Sequence, residues 1–148
     1  MRFKFRLAAL ERIRASFERR EKLRLMLATA HLANVQQRIL ALDAERLSAR
    51  AQLEQQLQAG LRGVEMHFHV VQAQARALQR QDLLLQAADA ERRCQVQQVV
   101  YTKARRGHEV IKRLRERAWD LHVQLERRRE QQHLDELHLQ TRSNHSPS

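Results

Sequence analysis

The sequence predicts an all-α fold, an antiparallel two-helix coiled-coil hairpin with a longer C-terminal helix. Three observations predict it. Ala, Leu, Gln, Arg and Glu dominate, and the 148 residues hold only three glycines and one proline, a composition typical of long helices and coiled coils. Two of the glycines stand three apart in Gly60-Leu61-Arg62-Gly63, while Pro147 lies in the last two residues. From Leu25 onward apolar residues recur in strict 3,4 alternation, the signature of a coiled-coil seam.

The tetrapeptide at 60–63 organises the rest. A helix running through both glycines loses roughly 0.8–1 kcal/mol at each relative to alanine. Glycine also accepts the positive φ that ends a helix. The predicted hairpin therefore covers 1–142, with helix 1 at about 7–59, a turn at 60–63 and helix 2 at about 64–140. The polar, turn-forming tail 143–148 is expected to be disordered.

At the N-terminus Phe3 and Phe5 alternate with Arg2, Lys4 and Arg6. A lone strand has no partner here, so a frayed helix start is expected. Leu7, Leu10, Ile13 and Phe17 then carry the helical period, and the step from Phe17 to Leu25 reads as a stutter. From Leu25 the seam is Leu25, Ala28, Leu32, Val35, Ile39, Leu42, Arg46, Ala49, Leu53 and Gln56. Arg46 and Gln56 interrupt it, as register-fixing polar positions do.

In helix 2 one stripe runs Val64, Phe68, Val71, Ala75 and Leu78, continuing through Leu85 and Ala88. A second runs Val96, Val100, Ala104, Gly107, Ile111, Leu114, Ala118, Leu121 and Leu125, with Gly107 a soft spot. Folding about the turn pairs residue i with one near 123 − i, placing Val35 beside Ala88, Ile39 beside Leu84 and Leu53 beside Val70. Residues beyond about Ala118 then find no partner in helix 1, leaving an overhang of roughly 30 Å.

Charge separates along this hairpin. The net charge is +11, with Arg2–Arg24 and Lys103–Arg129 basic and Asp43–Glu91 slightly acidic. Such a balance favours acidic partners, nucleic acid or anionic lipid. Cys94 is the only cysteine, so no intramolecular disulfide forms, as suits a reducing compartment. No apolar run approaches the ~20 residues of a membrane span, and Glu11, Arg12 and Arg14 interrupt any signal-peptide core.

No catalytic motif is visible, and no enzyme activity, cofactor, metal or small-molecule substrate is expected. His67 and His69 are two apart, on different helix faces, and zinc needs better-placed ligands. They read as solvated histidines beside the turn. Phe68 reads either as the seam residue closing the hairpin or, with Val71 and Ala75, as an exposed apolar contact for a partner. Trp119 reads as packing over Leu7 or Phe5, or as an interface anchor. The basic runs Lys112–Arg117 and Glu126–Glu130 contain interspersed acids, which suits helical ion pairs better than a nucleic-acid-reading helix.

Three stretches resemble the FliJ family of flagellar export proteins: Phe3-x-Phe5-x-Leu7-x-x-Leu10, the turn near 60 followed by Phe68 and Gln81, and Glu130-Gln131-Gln132-His133-Leu134-Asp135-Glu136. The last is similar to the family's Glu-Gln-Lys-x-x-Asp-Glu pattern, with Gln132 in place of lysine. The resemblance implies a stalk-like coiled coil that binds and stimulates a hexameric export ATPase and links it to the export-gate membrane protein, with a further connection to export chaperones. It also implies a cytoplasmic protein peripherally associated with the inner face of the membrane at the flagellar base. The gate contact it implies falls at Phe68, Val71 and Ala75, the last two smaller than is usual in the family.

From charge and placement, Arg12, Arg14, Arg113, Arg117, Arg127 and Arg128 are expected to face acidic groups of the ATPase ring. Glu130, Asp135 and Glu136 are expected either to join them there or to pair locally with Arg127 and Arg128. The competing readings are a basic coiled-coil nucleic-acid binder and a structural adaptor; the resemblance implies no nucleic-acid partner.

Overall fold

The computed structural model describes residues 2–146. They form an all-α helical hairpin of two helices, α1 (Ala8–Ala59, 52 residues) and α2 (Gly63–Asn144, 82 residues), with no strand among the described residues.

The turn has a direct cause. Gly60 sits at φ +93°, a conformation that costs any residue with a Cβ, and its amide reaches the Leu57 carbonyl at 3.4 Å. At the start of α2 the Arg62 carbonyl accepts the first helical bond, from the Met66 amide at 3.0 Å. At the N-terminus residues 2–5 are non-helical and Arg6–Leu7 form a turn, so the frayed helix start is corrected. The alternation there is nonetheless meaningful: Phe3 and Phe5 are half-buried while Arg2, Lys4 and Arg6 are exposed.

At its other end α2 continues past residue 140 to Asn144. Side chains bond back to carbonyls of its last two turns: Thr141 Oγ1 donates to Leu137 and His138 at 3.0 and 2.9 Å, and Ser143 Oγ to Gln140 at 3.0 Å. Pro147 and Ser148 lie outside the described residues.

The chain divides into two compact units. The unit Arg19–Thr102 contains the turn. Its buried apolar residues are Val35, Leu42, Leu83 and Ala90, with Val35 only 1% exposed; each large side chain so buried contributes roughly 1.5–3 kcal/mol. In α1 Leu25, Ala28, Leu32, Ile39, Ala49 and Leu53 are half-buried, so this helix packs through the stripe its spacing predicts. In α2 it does not. Val64, Phe68, Val71, Ala75, Leu78, Leu85 and Ala88 are all exposed, and burial falls on Leu83, Ala87, Ala90, Cys94 and Gln97. The expected pairs shift with it: Ala88, Leu84 and Val70 are exposed, whereas Ala87, Leu83 and His69, one position earlier, are buried or half-buried.

The second unit joins Met1–Glu18 with Lys103–Ser148. Ala104 and Ile111 are buried, and Gly107 and Ala118 half-buried, so the second stripe is right at these positions and wrong at Leu114, Leu121 and Leu125, which are exposed. Leu7 in the turn and Leu10, Glu11, Ala15 and Glu18 on α1 are half-buried, while Ile13 is exposed and Phe17 lies at the margin. There is accordingly no stutter: Glu18 here, like Glu21 and Leu25 in the other unit, keeps the 3,4 spacing. Hydropathy points elsewhere because these seam positions are glutamates.

Candidate partner-binding surfaces

Both units carry polar pairs from one helix to the other. In the unit with the turn Arg80 Nε donates to Asp43 Oδ1 at 2.8 Å, and His69 Nε2 lies 2.7 Å from Gln56 Oε1. Arg80 is the mirror partner expected for Asp43, and His69 is two positions from that expected for Gln56. Arg46, the other polar seam residue, approaches Asp43 at 3.9 Å. Glu21 is 1% exposed and bound by Gln97, Arg20 and Arg24. In the second unit Arg115 reaches Glu11 at 3.0 Å, and His108 Nδ1 meets Glu18 Oε2.

These contacts set the local electrostatics. The hydrogen bond from Gln97, aided by the charges of Arg24 and Arg20 and opposed by burial, holds the Glu21 carboxyl below its ordinary range. The hydrogen bond from Arg80, with the charges of Arg80 and Arg46, does the same for Asp43 and raises Arg80 in turn.

The six arginines singled out from the sequence all belong to the second unit: Arg12 and Arg14 on α1, Arg113, Arg117, Arg127 and Arg128 on α2. Each is exposed and none forms an ion pair among the described residues. The exposed Arg14 lies across Gly107, whose added Cβ would stand 3.4 Å from its Nη1. Glu130, Asp135 and Glu136 are exposed as well. Asp135 accepts a hydrogen bond from Gln131 at 3.1 Å. None of the three pairs with Arg127 or Arg128 among the described residues; the local pair is Arg129–Glu126 at 3.2 Å. Every described residue from Arg127 onward is exposed.

Trp119 packs edge-on against Phe3, centroids 5.0 Å apart, with His122 beside both. The ring that meets Trp119 is thus Phe3, and the indole remains 50% exposed.

Phe68 is 59% exposed and does not close the seam; His69, its neighbour, turns toward Gln56 instead. With Val71 and Ala75 it lies on an exposed stripe from Val64, 83% exposed, to Leu78 and Leu85. The spacing predicts this stripe but not the side of α2 that it occupies. His67 is exposed and His69 half-buried, and the described residues hold no cluster of three or more metal-binding side chains. No helix of the described chain is long and apolar enough to cross a membrane.

The described residues thus form a helical hairpin with polar pairs in its seam, exposed arginines in one unit and an exposed apolar stripe in the other. The chain belongs to the FliJ family: the family described as Flagellar FliJ protein matches residues 3–146, nearly its whole length, and it is thereby a flagellar export component. No curated protein and no solved structure matches it.

Proposed function

We propose that this flagellar export component is a non-enzymatic regulator that binds and stimulates the hexameric export ATPase and links it to the export-gate membrane protein. The observation that carries this reading is the set Arg12, Arg14, Arg113, Arg117, Arg127 and Arg128, exposed and without carboxylate partners among the described residues. Unspent positive charge of this kind draws acidic partners and speeds their association. The acidic groups of the ATPase ring are its counterpart in this proposal, with Glu130, Asp135 and Glu136 contacting the same subunits.

The gate contact is assigned to Phe68, Val71 and Ala75, within an apolar stripe that costs solvent exposure while unpartnered. The protein works on the cytoplasmic side of the membrane at the flagellar base and also meets export chaperones. The test is a binding titration of purified export ATPase against the wild-type chain and a variant with the six arginines changed to glutamate. Binding lost in the variant, and weakened by salt in the wild type, supports the reading; equal binding by both overturns it.

A further inference from the structure

In the unit that holds the turn, a hollow of about 500 Å³ opens between α1 and α2. Its lining includes two short side chains, Ala49, half-buried on α1, and Ala73, exposed on α2, together with Leu53. Three arginines line it: Arg46 and Arg50, one turn apart on α1, and Arg76 from α2. Their acids are spoken for or missing. Asp43, the one carboxylate in the lining, is held by Arg80 at 2.8 Å and approached more loosely by Arg46 at 3.9 Å. Arg50 reaches Glu54 outside the hollow at 3.7 Å, a loose exposed pair of little worth. Arg76 is half-buried and has no carboxylate partner among the described residues. Holding Arg76 half-buried without an anion is unfavourable, and with the exposed Arg46 and Arg50 beside it the lining is complementary to an anion that arrives from outside.

We infer that this hollow is a docking site for an acidic amphipathic helix of a partner protein, separate from the six-arginine surface and from the Phe68 stripe. An open groove between two helices accepts a third helix as its natural occupant. Carboxylates four residues apart on such a helix have the one-turn spacing of Arg46 and Arg50. An apolar side chain on the same face enters the space over Ala49, Leu53 and Ala73, and Arg76 closes on the acids from the α2 side. The exposed Leu47 at the rim of the hollow adds apolar contact.

The test uses the full chain and two stapled synthetic helices, one carrying glutamates four apart beside a leucine stripe, the other lysines at those positions, titrated by fluorescence anisotropy. The wild type binds the glutamate helix and not the lysine helix. Arg76→Glu weakens binding at least about tenfold, whereas Arg38→Glu, an equal charge change at an exposed position outside the hollow, leaves it within about twofold. Ala73→Leu fills the hollow at unchanged charge and also weakens binding about tenfold or more; it decides the matter if Arg76→Glu loses helicity by circular dichroism. Equal loss in Arg38→Glu and Arg76→Glu, wild-type affinity in Ala73→Leu, or equal binding of the two helices overturns the inference.

Discussion

Gln97 on α2 donates twice to a single residue of α1: its Nε2 lies 2.6 Å from Glu21 Oε2 and 3.1 Å from the Glu21 carbonyl oxygen. Glu21 is almost wholly buried, and removing the donor leaves a desolvated carboxylate short of a partner, which costs more than the bond itself. Gln97→Leu is expected to lower the thermal midpoint by roughly 5 °C or more, followed by circular dichroism. The double variant Glu21→Leu, Gln97→Leu is expected to recover that loss, because an apolar pair at a seam position is well tolerated. No recovery would show that Glu21 does not depend on Gln97.

Acid is expected to loosen the unit Arg19–Thr102. Glu21 and Asp43 have folded values below their ordinary 4.5 and 3.8, so the unfolded chain binds more protons in that interval and stability rises with pH. Their contribution is complete above about pH 5 and is lost as the pH falls through the lowered folded values. Melting curves between about pH 6 and pH 3 are expected to show a fall in midpoint that is shallower in Glu21→Gln, Asp43→Asn. An unchanged slope in that variant would assign the acid sensitivity elsewhere.

The hairpin was legible in the sequence because its causes are local. Glycines at 60 and 63 break a helical composition, and Gly60 takes the φ that only glycine accepts cheaply. The α1 seam from Leu25 was legible because its apolar residues fall on one face. The α2 seam was not, since its larger side chains Phe68, Leu78 and Leu85 lie outward while Ala87, Ala90 and Gln97 pack inward. Hydropathy selects the former. Glu11, Glu18 and Glu21 were missed for the same reason: each is tolerable at a seam only with its particular partner, Arg115, His108 or Gln97, and pairing of that kind has no local signature. The exposed arginines were legible as basic runs, but the hollow at Arg76 is lined by residues of both helices, Ala49 and Ala73 among them, 24 positions apart in sequence.

Two glycines are expected to respond oppositely to alanine. Gly107 is helical with ordinary contact distance for a Cβ beside Arg14, so Gly107→Ala stabilises by about 0.5–1 kcal/mol. Gly60, with nothing near its missing Cβ but φ at +93°, suffers from conformation alone, and Gly60→Ala destabilises by about 1–2 kcal/mol. Urea titrations of both variants check the pair of signs.

Phe68→Asp and Val71→Asp are expected to leave the midpoint within about 2 °C of wild type, because both side chains are exposed. The same substitutions are expected to weaken binding to the cytoplasmic portion of the export gate by about tenfold or more in a pull-down or titration. A large loss of stability would show that the stripe is part of the folded core; unchanged gate binding would remove these residues from that interface.

The most direct measurement is the steady-state rate of ATP hydrolysis by the purified export ATPase as this chain is titrated in. The account predicts a saturable rise with the wild type and no rise when Arg12, Arg14, Arg113, Arg117, Arg127 and Arg128 are reversed to glutamate in a chain of wild-type helicity. Stimulation of equal size by the reversed chain, or none by the wild type, would contradict it.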